Sequence, residues 1–365
     1  MSNSTNNQQS SQNPPSGGRG AVSVGIIGGA GYTGGEMIRL LINHPNVDIA
    51  FINSTSNAGK YVHEVHKDLL GETELMFSNS LSFGEGWGEA ALFLCVGHGD
   101  ARKFLEANDI DERIKIIDLS QDFRLASGAS FKFPVTGDNQ KPVTRNFIYG
   151  LPELNKEAVK QAKNIANPGC FATAIQLGLL PLAKAGLLGN IYTTGITGST
   201  GAGQSLSATS HFSWRANNIS AYKTLQHQHC KEIHQSLNQL QSSFPLAPYG
   251  DVGLQFVPWR GDFTRGIYIS STIDCTLSLE EVNQLYKDFY ANHPFTHFTE
   301  KMIDLKQVVN TNKCLISIEK QGNKIVVHSV IDNLLKGASG QAVQNMNLLF
   351  GIEEATGLRL KANHF

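Results

Sequence analysis

The first strongly apolar stretch, Ala21-Val22-Ser23-Val24-Gly25-Ile26-Ile27, is short and rich in β-branched residues, which reads as a buried parallel strand. A glycine turn ends it. From residue 36 to 43 apolar side chains recur at helical spacing (Met37, Ile38, Leu40, Leu41), and His44-Pro45 stops the helix. Residues 47–52 then read as a second strand, so the ordered chain opens with a β-α-β unit. Residues 91–96 and 115–119 are further buried-strand candidates, with helical stretches between. This alternation predicts a doubly wound parallel sheet and assigns 21–168 to one α/β domain. Beyond Cys170 the texture changes. Residues 268–275 and 325–331 read as strands and 279–291 as an amphipathic helix, so 169–336 is expected to form a second, α+β domain.

Composition and charge narrow the partners. A chain of 365 residues suits two domains, and 41% hydrophobic with 17% charged residues is the balance of a soluble globular protein. The net charge of -1 gives no electrostatic reason to expect nucleic acid or an anionic membrane. No window reaches the roughly 18 consecutive apolar residues of a membrane span, and the N-terminus lacks a secretory apolar core, so the cytoplasm is the expected location. Residues 1–20, rich in Ser, Asn, Gln, Pro and Gly, are expected to be a disordered tail. Five scattered cysteines (Cys95, Cys170, Cys230, Cys275, Cys314) do not form a disulfide framework and are read as reduced thiols.

The turn Gly28-Gly29-Ala30-Gly31-Tyr32-Thr33-Gly34 lies between strand and helix, where glycine lets the backbone approach a pyrophosphate and the helix offers its free N–H groups. Gly28, Gly31, Tyr32, Thr33 and Gly34 are therefore candidate cofactor residues of an α/β Rossmann dinucleotide-binding domain. The second strand ends in Asn53-Ser54-Thr55-Ser56-Asn57, hydroxyls and amides with no carboxylate. Ser54 and Ser56 thus tolerate a 2′-phosphate, which favours NADP over NAD. Lys60 adds charge to that phosphate or is a solvated surface lysine.

Asn167-Pro168-Gly169-Cys170 leads from a turn into an apolar helical run, so Cys170 sits at a helix N-terminus, where the dipole and free N–H groups lower a thiol's pKa. Cys95, in an apolar strand, reads as core. Downstream, Gln226-His227-Gln228-His229-Cys230-Lys231-Glu232 invites a zinc reading, but no second ligand pair is evident, so no metal is expected. The alternative is one imidazole acting as acid and base beside the thiol, with Glu232 orienting it. The small-residue loop 198–205 reads as an anion nest for a substrate phosphate or as a plain surface turn. A cysteine so placed allows a reductase, a redox sensor or a thiol hydrolase.

Long motifs in fixed order decide among these. Gly28 to Glu36, Asp118-Leu119-Ser120-Gln121-Asp122-Phe123-Arg124-Leu125, Tyr149-Gly150-Leu151-Pro152-Glu153-Leu154-Asn155, Asn167 to Cys170, and the segment 332–347 together resemble the N-acetyl-gamma-glutamyl-phosphate reductase family of arginine biosynthesis, relatives of aspartate-semialdehyde dehydrogenase. The resemblance implies an NADPH-dependent reduction of an acyl phosphate through a Cys170 thioester, with His227 as first choice for proton transfer and His229 and Glu232 beside it. It further implies Gly201, Asn333 and Gln341 at the cofactor, and Arg124, Ser199 and Arg265 at the substrate. It implies a substrate and dimerisation domain of the semialdehyde dehydrogenase type, a homodimer or homotetramer, and a first domain completed by 337–365.

The departures from the family pattern are as telling. Gly97-His98-Gly99 stands where the family has Pro-His-Gly, and Trp259-Arg260-Gly261-Asp262-Phe263 where it has His-Leu-Val-Pro-Met. Arg260 adds a positive charge near the substrate segment, which suits an acyl group with its own carboxylate, succinyl in place of acetyl. The competing reading is a local salt bridge to Asp262.

Overall fold

The computed structural model describes residues 21–84, 88–126, 130–133, 143–242 and 253–364. The expected tail at 1–20 lies outside them. In the first domain the chain runs β1 (Val22–Ile27), α1 (Tyr32–Leu41), β2 (Val47–Asn53), α2 (Val62–Val65), β3 (Phe77–Ser78), β4 (Ala90–Leu94), α3 (Asp100–Ala107), β5 (Lys115–Asp118), β6 (Ser130–Phe133), β7 (Val143–Tyr149), α4 (Pro152–Lys160) and β8 (Asn164–Ala166). These strands form one sheet in the order β3-β2-β1-β4-β5-β8-β7-β6, parallel except for the β6–β7 pair. The order reverses between β1 and β4, and the carboxyl ends of those two strands open the crevice where doubly wound sheets bind ligands. The apolar runs explain the strands: Val22, Val24 and Ile26 of β1 and all five residues of β4 are buried between helical layers.

The second domain follows with α5 (Cys170–Lys184), β9 (Ile191–Thr197), α6 (Phe212–Arg215), β10 (Ser220–Ala221), α7 (His229–Leu240), β11 (Leu254–Arg260), β12 (Ile267–Asp274), α8 (Leu279–Tyr290), β13 (Thr296–Phe298), β14 (Cys314–Gln321) and β15 (Lys324–Ile331). Its mixed sheet has the order β10-β11-β9-β12-β15-β14-β13. Strict alternation of buried and half-exposed positions along β12 gives the sheet one core face, against which α5 packs. Residues 171–183 of α5 are all buried, because α7 and α8 cover the rest of the helix.

The chain then returns. In α9 (Ser339–Leu349) all eleven residues are buried, and the helix packs on α1 and α4, with Val343, Met346 and Leu348 in the core of the first domain. Its polar residues are paired: Asn345 Nδ2 donates to Gly150 O at 2.8 Å and to Asn167 Oδ1 at 3.0 Å. Just before α9, Lys336 forms a fully buried ion pair with Glu153 at 2.8 Å.

Two sequence-based boundaries shift. The first helix starts at Tyr32, so the glycine turn is shorter and Tyr32, Thr33 and Gly34 are its first turn. The fourth strand ends at Leu94, which places Cys95 just past the carboxyl edge of the sheet.

Candidate active site

One cavity of about 510 Å³ lies between the domains, at the carboxyl ends of β1 and β4 on one side and at the start of α5 on the other. Its wall brings together Gly31, Tyr32, Thr33, Arg124, Cys170, Gly201, His227, His229, Arg260 and Asn333 from the sequence-derived candidates. Gly28, Gly34, Ser54, Ser56, Ser199, Glu232, Arg265 and Gln341 are not among its lining residues.

The thiol is held by a heavily fastened turn. Asn167 donates its backbone N–H to Asp118 O at 2.7 Å and its side-chain amide to Ala338 O at 3.1 Å. Gly169, the N-cap of α5, carries a close approach: a Cβ there would stand 2.3 Å from His229 Nε2 and 2.8 Å from Arg124 Nη1. Glycine is required at the residue before the nucleophile because the imidazole and the guanidinium occupy the space of a side chain. Cys170 itself departs from expectation. Burial pushes its thiol up to about 11, although the Phe171 N–H and the Arg124 charge pull the other way. Desolvation outweighs the helix terminus, so the free protein holds Cys170 as a neutral thiol at neutral pH.

Glu232, on the first turn of α7, organises the surroundings. Its Oε2 accepts the Tyr149 hydroxyl at 2.7 Å and the Gly169 N–H at 3.2 Å, and its Oε1 accepts Arg124 Nη1 at 3.2 Å. His229 Nε2 stands 3.8 Å from the same Oε1. Burial lowers both imidazoles, His227 to about 4 and His229 well below the ordinary value, so both are neutral at pH 7. His227 Nδ1 accepts the His229 backbone N–H at 3.3 Å, and its ring packs edge-on against Phe171, Phe256 and Tyr222. His229 Nδ1 is buried with no hydrogen-bond partner.

On the cofactor side, Gly28 adopts φ 78° and a Cβ there would lie 2.4 Å from Cys95 O, so the turn is closed by glycine. Gly34 lies inside α1 against the Gly28–Gly29 backbone. No side chain caps α1, which leaves the N–H groups of its first turn directed at the cavity end where Gly31, Tyr32 and Thr33 line it. That is the donor set a pyrophosphate requires. Beyond β2, Asn57 Nδ2 donates to Ser54 Oγ and Ser56 Oγ, each at 3.2 Å, and exposed Lys60 donates to Asn57 Oδ1 at 3.2 Å. Hydroxyls, an amide and an ammonium without a carboxylate fit a ribose 2′-phosphate. Gln341 is elsewhere: fully buried, it donates to Thr173 Oγ1 at 3.0 Å and joins α9 to α5.

Three substrate-side expectations need correction. Arg265 is held by Asp332 at 3.0 and 3.2 Å and by Glu36, so it ties the start of β12 to α1 rather than facing the cavity. Ser199 donates its backbone N–H to Phe263 O at 2.8 Å outside the lining, while Thr200 to Gln204 form the cavity wall. Arg124 does line the cavity, and it donates to Asn167 O at 2.8 Å and Leu119 O at 2.9 Å besides Glu232. It positions the thiol turn. Arg260 makes no pair with Asp262, whose carboxylate accepts the Asn217 backbone N–H at 2.6 Å. The guanidinium stacks over the Tyr222 ring, 5.0 Å from its centroid.

The site also contains residues that sequence reasoning passed over. Tyr149, at the end of β7, bonds Glu232 and accepts Gln176 Nε2 at 2.8 Å; its motif was visible, its role was not. Lys223, in a left-handed conformation at φ 47°, and Tyr222 line the cavity from a loop with no motif to mark them. Asp122 caps α3 through the Gly99 and Arg102 N–H groups at 2.7 and 3.0 Å, which accounts for the second carboxylate of the 118–125 motif.

Comparison with known proteins agrees with this geometry. Residues 23–162 match the model of the semialdehyde dehydrogenase NAD binding domain and 170–333 that of the semialdehyde dehydrogenase dimerisation domain. The chain is 55% identical to the N-acetyl-gamma-glutamyl-phosphate reductase of Phocaeicola vulgatus over 345 residues, 94% of this chain and all of that one. It is 54% identical, with the same coverage, to that of Bacteroides fragilis. Among solved structures, aspartate semialdehyde dehydrogenase II of Vibrio cholerae has a TM-score of 0.66 at 16% identity, covering 90% of this chain and 98% of its own.

Proposed function

The chain belongs to the N-acetyl-gamma-glutamyl-phosphate reductase family, within the semialdehyde dehydrogenases, and from that premise we propose how its own residues carry the reaction. The reaction is the NADPH-dependent reduction of N-acetyl-L-glutamyl 5-phosphate to N-acetyl-L-glutamate 5-semialdehyde and phosphate, a step of arginine biosynthesis. The observation that carries the assignment is the meeting, in one cavity, of Cys170, the neutral His227–His229 pair and the uncapped N-terminus of α1.

Cys170 Sγ attacks the acyl carbon, the bond from that carbon to the phosphate oxygen breaks, and a thioester remains on the chain. The proton leaves a thiol that burial keeps neutral, so a base must act at the moment of attack. His229 supplies it: Glu232 stands beside the ring, and the neutral imidazole accepts the thiol proton, passes it to the hemithioacetal oxygen once hydride has been added, and carries it back to Cys170 Sγ as the C–S bond breaks and the aldehyde forms. This moves the first choice from His227 to His229, with His227 as a wall that packs the ring. Gly31, Tyr32 and Thr33 would hold the pyrophosphate and Ser54, Ser56, Asn57 and Lys60 the 2′-phosphate; Gly201 and Asn333 line the same cavity. Bound there, NADPH supplies the hydride that reduces the thioester carbonyl. The product leaves as Cys170 regains its proton.

The match to a dimerisation domain supports an oligomeric enzyme, which we assign as a homodimer or homotetramer working on a small acyl phosphate in the cytoplasm. No helix among the described residues is long and apolar enough to cross a membrane. The assay is phosphate-dependent reduction of NADP with the semialdehyde as substrate. Loss of turnover in Cys170→Ala with NADP binding retained supports the mechanism, and activity that survives the substitution refutes it.

A further inference from the structure

Arg260 closes β11, where the strand is paired on both sides, with Thr197 of β9 and Ser220 of β10. Its backbone is fixed further by Arg215, whose Nη1 donates to Arg260 O at 3.0 Å and to Gly261 O at 3.3 Å. From this rigid position the side chain reaches the wall of the cavity that holds Cys170. No carboxylate meets it: Arg260 is in none of the ion pairs among the described residues, and its Nε is buried without a hydrogen-bond partner.

The other cations of the wall are differently employed. Arg124 is neutralised by Glu232, and Lys223 donates to the neutral Gln228 Oε1 at 2.8 Å. A half-buried guanidinium held on a strand, stacked on Tyr222 and lacking an anion of its own, is a built receptor for one. Its planar fork matches a carboxylate in two-point geometry.

We propose that Arg260 recognises a carboxylate of the substrate, an inference that rests on the reaction assigned above and names what grips its far end. Two sources present the same group. One is the α-carboxylate of the glutamyl unit; the other is the distal carboxylate of a dicarboxylic acyl group, such as succinyl, on its nitrogen.

The test is steady-state kinetics of the full chain in the oxidative direction, with phosphate, NADP and either N-acetyl- or N-succinyl-glutamate 5-semialdehyde. Wild type, Arg260→Met and Arg260→Lys are compared. Arg260→Met should raise the semialdehyde KM about tenfold or more, the scale of losing a charge-assisted pair. The phosphate KM, NADP KM and kcat should stay within about threefold, and Arg260→Lys should recover part of the loss. A rise shared by both substrates assigns the α-carboxylate; a rise confined to the N-succinyl substrate assigns the distal one. An unchanged semialdehyde KM for both, or a rise that appears in phosphate or NADP instead, overturns the proposal. Wild-type turnover that disappears in Cys170→Ala sustains the reaction whatever Arg260→Met does, so the two failures are distinguishable.

Discussion

The Glu232 carboxylate accepts the backbone N–H of Gly169 at 3.2 Å, one residue before the nucleophile. The same carboxylate faces Arg124 at 3.2 Å, and both side chains are nearly inaccessible to solvent. A helix of the second domain thereby holds the turn that presents the thiol, while Arg124 holds it from the first.

Removing that charge leaves Arg124 buried without a counter-ion. Glu232→Gln should therefore destabilise the protein by about 3–5 kcal/mol, the usual cost of breaking a buried pair from one side. Thermal unfolding followed by circular dichroism checks this. A Tm unchanged from wild type would show that the pair contributes nothing to the fold.

The imidazoles should separate in their effects. His229→Asn should lower kcat by about a hundredfold or more, within the range assigned to general acid–base catalysis, with NADPH affinity retained. His227→Asn removes packing against Phe171 and Phe256 and should act more weakly on kcat. Equal losses, or a larger loss at His227, would return the proton to that residue.

Acid should destabilise the protein through the same two residues. Their folded pKa values are depressed by burial, His227 to about 4, so between that value and the ordinary 6.5 the unfolded chain binds protons that the folded chain refuses. Stability falls as pH drops through that window, by about 1.4 kcal/mol per pH unit for each such group. Asp118 acts in the opposite sense, since burial raises it to about 7. The comparison is thus between variants: denaturant unfolding of His227→Phe from pH 7 to 4.5 should show a shallower loss than wild type, and parallel curves would rule the histidine out.

Cys170 should be a slow thiol before substrate arrives. With its pKa pushed up to about 11, alkylation by iodoacetamide at pH 7 should be slower than that of a free cysteine and should rise steadily toward pH 10. Mass spectrometry of the 170-containing peptide reads the rate. Fast, pH-independent labelling below pH 8 would mean that the thiolate is already formed.

Cofactor choice should rest on the hydroxyl and lysine cluster after β2. Ser56→Asp places a carboxylate where a 2′-phosphate is expected and should weaken NADPH by about tenfold or more while sparing NADH, because a like charge opposes the phosphate. An unaltered NADPH-to-NADH ratio of kcat/KM would place the 2′-phosphate elsewhere.

What the sequence made legible follows the range of the interactions. β1, β2, β5, β12, β15 and α8 were readable to within a residue or two, because continuous or alternating apolar runs specify them locally. β7 to β9 and β11 were not marked by any such run. In the site, the glycine turn, Cys170 and the paired histidines announce themselves within a few residues of chain. Arg265 and Gln341 misled because their partners are remote: Glu36 lies 229 positions from Arg265, and Thr173 lies 168 from Gln341. The thiol's acidity misled for another reason. A helix terminus is visible in sequence, but the desolvation that outweighs it depends on packing from both domains.

The buried return of α9 bears on how the protein comes into being. The core of the first domain lacks Val343, Met346 and Leu348 until those residues leave the ribosome, although its strands are translated more than 170 residues earlier. During synthesis the catalytic domain takes shape beside an unfinished neighbour whose exposed seam must stay clear of other chains. The returning helix α9 therefore acts as a closing bolt, and thiol chemistry becomes available only once that helix has been made and docked.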